Sequence, residues 1–116
     1  MDNQNRVKNC EGVWEISVDE VHASLGKFTM IDVRREEEWH GELGHIQGAT
    51  LSTLQTDFQC LLADLTPETT YIFVCRSGQR SSVAGAMAIE RGIKNVYNMV
   101  GGMVAWNEKK FPVTKD

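Results

Sequence analysis

A cysteine, Cys75, stands between an apolar run, Tyr71-Ile72-Phe73-Val74, and a polar segment, Arg76-Ser77-Gly78-Gln79-Arg80-Ser81. A strongly helical stretch from Ser82 to Gly92 follows at once. The pattern puts a thiol where a buried strand turns into a helix. There, backbone N–H groups and the helix dipole favour an anion. Arg76 and Arg80 add positive charge within the same few residues. Surroundings of this kind favour a thiolate, the nucleophilic form of cysteine. Cys75 is therefore the expected nucleophile. Cys60 lies in the helical pattern Phe58-Gln59-Cys60-Leu61-Leu62 and is expected to pack, as free cysteines commonly do. Cys10 sits in a polar N-terminal stretch with no chemistry beside it.

The elements that must position this thiol alternate along the chain. Val13 to Ile16 is a strand, and Ser17-Val18-Asp19-Glu20 reads as a capping box that opens a helix ending near Gly26. Phe28 to Val33 is a second strand, followed by a short helical turn over Arg35 to Trp39. Thr50-Leu51 is a brief strand and Gln55 to Leu65 a helix. Thr70 to Val74 is the strand that enters the cysteine loop. Ser82 to Arg91 forms a helix with Val83, Ala86, Met87 and Ile89 toward a sheet, and Gly92 stops it. Asn95 to Met99 is the last strand, Gly101-Gly102 a turn, and Val104 to Lys110 a closing helix. Apolar strands separated by helices indicate a mainly parallel sheet covered on both faces. Ligands in such sheets sit beyond the carboxyl ends of the strands. Cys75 lies at one such end, and Asp32 and Arg34 lie at another.

Whole-chain properties narrow the function classes. The 116 residues fit one domain, here read as 13–116 behind a loose tail over 1–12. The formal charge of −4 does not suggest a nucleic-acid partner. Three widely spaced cysteines without a Cys-x-x-Cys pair make neither a disulfide framework nor a zinc site, which fits a reducing compartment. No apolar run approaches the length of a membrane helix, and Met1 to Arg6 lacks the apolar core of a signal peptide. The expectation is a cytoplasmic protein without a membrane partner.

Several segments together resemble the single-domain rhodaneses, sulfurtransferases of the thiosulfate type. They are Ile31-Asp32-Val33-Arg34, Glu38-Trp39, Gly44-His45-Ile46-Gln47-Gly48-Ala49, the loop Cys75 to Ser81, Asn95-Val96-Tyr97-Asn98, and Gly101-Gly102-Met103-Val104-Ala105-Trp106. They occur in the family's order over roughly residues 13 to 113. The resemblance implies an α/β fold with a central, mostly parallel five-stranded sheet and helices on both faces. It implies that Cys75 carries sulfur as a persulfide, with no metal or organic cofactor. It also implies that Arg76, Ser77, Gly78, Gln79, Arg80 and Ser81 form the substrate-binding loop.

Thiosulfate or another sulfane-sulfur donor would load Cys75, and a thiol, cyanide or a protein would accept the sulfur. Arg76 directly after the cysteine resembles the thiosulfate-preferring pattern. Ser77 departs from it, since a second basic residue is common there. A loop whose N–H groups converge on one sulfur is an anion-binding nest, and Gly78 lets the backbone take the required dihedrals. Asp32, Arg34 and His45 are expected in support: Asp32 accepting hydrogen bonds from the loop or an arginine, and His45 bracing the fold. His22 and His40 read as surface residues, and Trp39 and Trp106 as packing anchors. Two other classes fit the same residues. One is a non-enzymatic persulfide carrier or regulatory module. The other is a dual-specificity-type phosphatase or arsenate reductase, whose loop resembles this one but is one residue longer before its arginine.

Overall fold

The computed structural model describes residues 6–116. Five strands form one sheet in the order β1-β5-β4-β2-β3: β1 Trp14–Ile16, β2 Thr29–Asp32, β3 Thr50–Leu51, β4 Tyr71–Val74 and β5 Val96–Met99. All four pairings are parallel. The helices are α1 Val18–Ala23, α2 Glu36–Trp39, α3 Phe58–Leu62, α4 Gln79–Glu90 and α5 Gly102–Glu108. The expected α/β architecture and strand set are observed.

Alternation along the central strand divides the core. Tyr71 and Phe73 join Val13, Ile31, Phe58, Leu62, Ala84 and Ala88 on the face covered by α3 and α4. Ile72 and Val74 join Ile16, Met30, Tyr97, Met99 and Trp106 on the face covered by α1 and α5. The period of two puts Cys75 on the α4 face, directly below the start of that helix. After β2 the chain moves outward to β3, and after β4 it moves the opposite way to β5. The crevice at the ends of β2 and β4 is thus a point where the winding reverses, the usual ligand position in open parallel sheets. Asp32 and Cys75 mark its two sides.

Several local expectations are corrected. Helix α4 begins at Gln79, three residues before the expected Ser82, because Gly78 takes φ 104° as its N-cap and lets the chain turn at once. Val83 does not face the sheet; it is 42% exposed. The buried face is Ser81, Ser82, Ala84, Gly85 and Ala88, and a Cβ at Gly85 would stand 2.8 Å from Val13 Cγ1. Small residues, rather than the large apolar ones, let this helix approach the sheet. The capping box is half formed. Ser17 Oγ accepts from Glu20 N–H at 3.1 Å, but the Glu20 carboxylate pairs with Arg6, whose Nη1 donates at 2.8 Å. Cys60 is exposed, because α3 buries Phe58 and Leu62, keeps Leu61 against the core and turns Gln59 and Cys60 outward.

Of the expected tail, residues 1–5 lie outside the described residues. Residues 6–12 fold back on the domain. Lys8 makes an antiparallel bridge to Trp14, and Asn9 Nδ2 donates to Ser82 Oγ at 2.7 Å. The Ser82 hydroxyl in turn donates to Glu11 at 2.9 Å. No helix among the described residues is long and apolar enough to cross a membrane.

Candidate active site

Cys75 is 1% exposed, and its sulfur is held by two donors. The Gly78 N–H donates to Sγ at 3.0 Å, and the Ser81 hydroxyl lies 3.3 Å away. Both come from the first turn of α4 or its cap, because the left-handed Gly78 folds the loop back over its own start. The twelve-residue α4 aims its N-terminus at the thiol, so the helix dipole and the loop amide act on one atom.

The loop is roofed by α5. Met103 N–H donates to the Cys75 carbonyl at 2.9 Å and Val104 N–H to the Arg76 carbonyl at 3.0 Å. This close approach needs glycine at position 102, where a Cβ would stand 2.4 Å from the Cys75 carbonyl oxygen. The Gly101-Gly102 pair expected as a turn is therefore also the contact that ties α5 to the Cys75 loop.

The two loop arginines have different environments. Arg80 reaches across to Glu38 on α2, with Nη1 to Oε1 at 2.7 Å and Nη2 to Oε2 at 2.8 Å, a bidentate pair. The guanidinium lowers the Glu38 carboxyl to about 2 from 4.5, its hydrogen bonds being the largest cause. Arg76 is exposed, has no ion-pair partner among the described residues, and lines a cleft of about 310 Å³ with Arg34, Glu37, Glu38, Glu42 and Leu43. Ser77 and Gln79 are exposed on the loop surface.

The supporting residues are brought to the same end of the sheet but not to the sulfur. Asp32 was expected to accept from the loop or from an arginine. It accepts from Arg34: the backbone N–H at 3.1 Å, Nε at 2.9 Å and Nη2 at 2.7 Å. Arg34 also donates to the carbonyls of Gly44 at 2.8 Å and Glu38 at 3.3 Å. This pair is buried, not a solvent-exposed bridge, and it braces the wall of the cleft. His45 is buried and stacked on Trp39 with ring centres 3.5 Å apart; its Nδ1 lies 2.8 Å from the Trp39 carbonyl. Its backbone bridges to Thr114, and no contact with Cys75 is present among the described residues. His22 and His40 are exposed, and Trp106 is fully buried.

Two further groups enter the site that the sequence reading gave no role. Glu38 was noted only as part of a motif. Asn98 is a lone amide in the apolar strand β5, and such an interruption of a fully buried strand was the available signal. Its Oδ1 accepts a short hydrogen bond from the Ser81 hydroxyl, and its Nδ2 donates to Glu15 Oε2 at 3.3 Å. Among the described residues no group of three or more His, Cys, Asp or Glu could hold a metal.

Comparison with known proteins places this arrangement. The model of the Rhodanese-like domain matches residues 17–109. A rhodanese-related protein from Thermoplasma volcanium superimposes with a TM-score of 0.79 at 22% identity, covering 88% of this chain and 98% of that one. A rhodanese-like domain protein from Staphylococcus aureus gives 0.70 at 27% identity, over 86% and 97% of the two chains. A protein named tRNA uridine(34) hydroxylase from Chlamydia pneumoniae is 33% identical over 103 residues, 81% of this chain and 31% of that protein. The chain thus spans about a third of the length of the curated relatives it matches. With the domain model covering most of its length and the same fold in both solved structures, the chain belongs to the rhodanese-like family.

Proposed function

We propose that this protein transfers sulfane sulfur through a persulfide on Cys75. The Cys75 thiolate attacks the outer sulfur of thiosulfate or a similar donor. A bond forms between Sγ and that sulfur, the donor's S–S bond breaks, and sulfite leaves with the electron pair. The negative charge of the resulting persulfide rests on its terminal sulfur. A thiol, cyanide or protein acceptor attacks that sulfur and restores the Cys75 thiolate. The sequence is covalent and two-step, so ping-pong kinetics are expected.

The observation that carries this reading is the pair of donors on one buried sulfur, Gly78 N–H and Ser81 Oγ, at the N-terminus of α4. Fixed donors of this kind stabilise an anionic sulfur without reorganising during the reaction. Arg76, without an ion-pair partner among the described residues, supplies positive charge at the cleft to draw an anionic donor. The engagement of Arg80 by Glu38 counts against the phosphatase or arsenate reductase reading, which needs that arginine directed at an oxyanion beside the sulfur. The tRNA uridine(34) hydroxylase relatives share one segment of about a third of their length with this chain. For the shared segment, the loop chemistry supports sulfur transfer as the reaction of Cys75.

The test is intact mass after exposure to thiosulfate alone, followed by turnover with cyanide. The expected result is a gain of about 32 Da, one sulfur atom, mapping to Cys75 and removed by cyanide. An adduct mapping to Cys10 or Cys60 overturns the assignment. A Cys75 adduct that cyanide does not turn over, but a protein acceptor removes, would instead favour the carrier module.

A further inference from the structure

The Ser81 hydroxyl has one proton and two acceptors. Cys75 Sγ lies 3.3 Å from Oγ, and Asn98 Oδ1 accepts a hydrogen bond from it. A hydroxyl donates once, so the two acceptors compete for the same proton. All three side chains are buried, which raises the cost of leaving either acceptor unpaired.

Glu15 decides which end of the Asn98 amide takes part. Glu15 and Asn98 are register partners on adjacent strands, so their side chains share one face of the sheet. An ionised carboxylate only accepts, so the Asn98 NH2 turns to Glu15 at 3.3 Å and the amide oxygen turns to Ser81. A flipped amide would offer its NH2 to Ser81 and leave an oxygen facing an oxygen at Glu15. Asn98 therefore donates to Glu15 and offers its oxygen to Ser81, and the one link left free is the rotation of the Ser81 hydroxyl.

We infer that Asn98, oriented by Glu15, is a positioning residue. It is a second acceptor that receives the Ser81 hydrogen bond whenever Cys75 Sγ carries no charge and loses it to the sulfur when the sulfur is a thiolate. The role in turnover rests on the sulfur-transfer reading. A hydrogen bond to an ionised sulfur is stronger than one to a neutral amide oxygen, so the thiolate draws the hydroxyl to itself. When Sγ bonds to the incoming sulfur, its charge moves outward to the terminal atom. The hydroxyl then rotates to Asn98. No proton changes atoms and no bond is made or broken by this motion. Gly78 N–H is the fixed donor to the sulfur, and Ser81 is the adjustable one.

The decisive measurement does not need sulfur transfer. In a Cys10→Ser, Cys60→Ser background, alkylation of Cys75 by iodoacetamide is followed at about pH 6, below the ordinary range of a thiol. Asn98→Leu leaves the Ser81 proton only the sulfur as acceptor. The thiolate fraction rises more than its nucleophilicity falls, so alkylation is expected to speed up roughly threefold. In a Ser81→Ala background the same Asn98→Leu substitution is expected to change nothing, because the contested proton is gone. Glu15→Leu, which frees the amide to turn, should act like Asn98→Leu. Glu15→Gln keeps an acceptor oxygen at that place and should restore the parent rate.

Acceleration by Asn98→Leu that persists without the Ser81 hydroxyl reflects access to the sulfur and overturns the inference. So does an unchanged rate in a folded Asn98→Leu protein. Failure of wild type to take sulfur from thiosulfate overturns the sulfur-transfer reading alone, because the alkylation comparison stands without it.

Discussion

The ends of β2 and β4 lie side by side in register, Asp32 opposite Val74, yet the two strand ends use polarity in opposite ways. At the end of β2, every charge is answered from within. Asp32 and Arg34 neutralise each other, and the spare guanidinium donors go to the carbonyls of Gly44 and Glu38. At the end of β4 one sulfur collects donors with no countercharge in contact among the described residues, while Arg76 lines the cleft with no ion-pair partner among them. The first arrangement has its charges closed on each other and holds a wall; the second gathers donors on a buried sulfur beside a cleft-lining arginine. The same fold position thus serves architecture or chemistry according to whether its charges are already paired.

Removal of the sulfur gives the sharpest contrast. Cys75→Ser is expected to abolish sulfur uptake and turnover while leaving the thermal midpoint within a few degrees of wild type, since the replacement is nearly isosteric. Retained sulfur loading in this variant would break the distinction between the two strand ends. Asp32→Ala should show the reverse. It strands a buried guanidinium, which costs roughly 3–5 kcal/mol. Turnover measured well below the new unfolding midpoint should fall only about threefold, because Asp32 does not touch the sulfur. A folded Asp32→Ala protein with no activity would show that the closed pair does govern the sulfur site.

Glu38→Gln tests the clasp that joins the two. The Glu38 carboxyl is held at about 2 in the folded protein against 4.5 without its partner. A depressed carboxyl stabilises the fold fully above the higher value, and that contribution is lost as pH falls from 4.5 through 2. The stability difference between wild type and Glu38→Gln should therefore be present at neutral pH and vanish toward pH 2. It should not exceed ~1 kcal/mol, because the pair is partly solvated. Urea midpoints across that range measure it, and a difference that persists at pH 2 would exclude the ionised carboxylate as its source. The smallest effect is expected from Arg76→Ala: about a threefold rise in KM for thiosulfate at low salt, disappearing at high salt, with kcat unchanged. Unchanged KM at low salt would leave Arg76 without a part in donor recruitment.

Much of this architecture is legible in the residues. An apolar run ending in Cys75, a glycine three residues on and a helical pattern after it specify a strand, a tight loop and a helix aimed at the thiol. The illegible parts depend on distances that local patterns do not contain. The orientation of α4 is set by Gly85 fitting against Val13, so apolar periodicity alone turned Val83 the wrong way. The Glu38 and Arg80 clasp joins residues 42 positions apart on different elements. Asp32 had two reasonable partners within reach, and only the fold shows that its carboxylate accepts from three donor atoms of Arg34 rather than from the Cys75 loop. Asn98 and Glu15 meet through strand register, which fixes a pair of side chains only after the order of strands is known.

Gly102 also bears on when the site comes into being. Ribosomes deliver chains from the N-terminus, on the order of 5–20 residues per second. Cys75 and its loop are synthesised before β5, which supplies Asn98, and before α5, whose amides hold the Cys75 and Arg76 carbonyls. On the ribosome, then, Cys75 is an ordinary cysteine for a few seconds, with neither its roof nor the partner of its adjustable donor. The contact at Gly102 makes synthesis through α5 a condition for an organised sulfur site, so a copy that stops short of it carries the thiol without its roof.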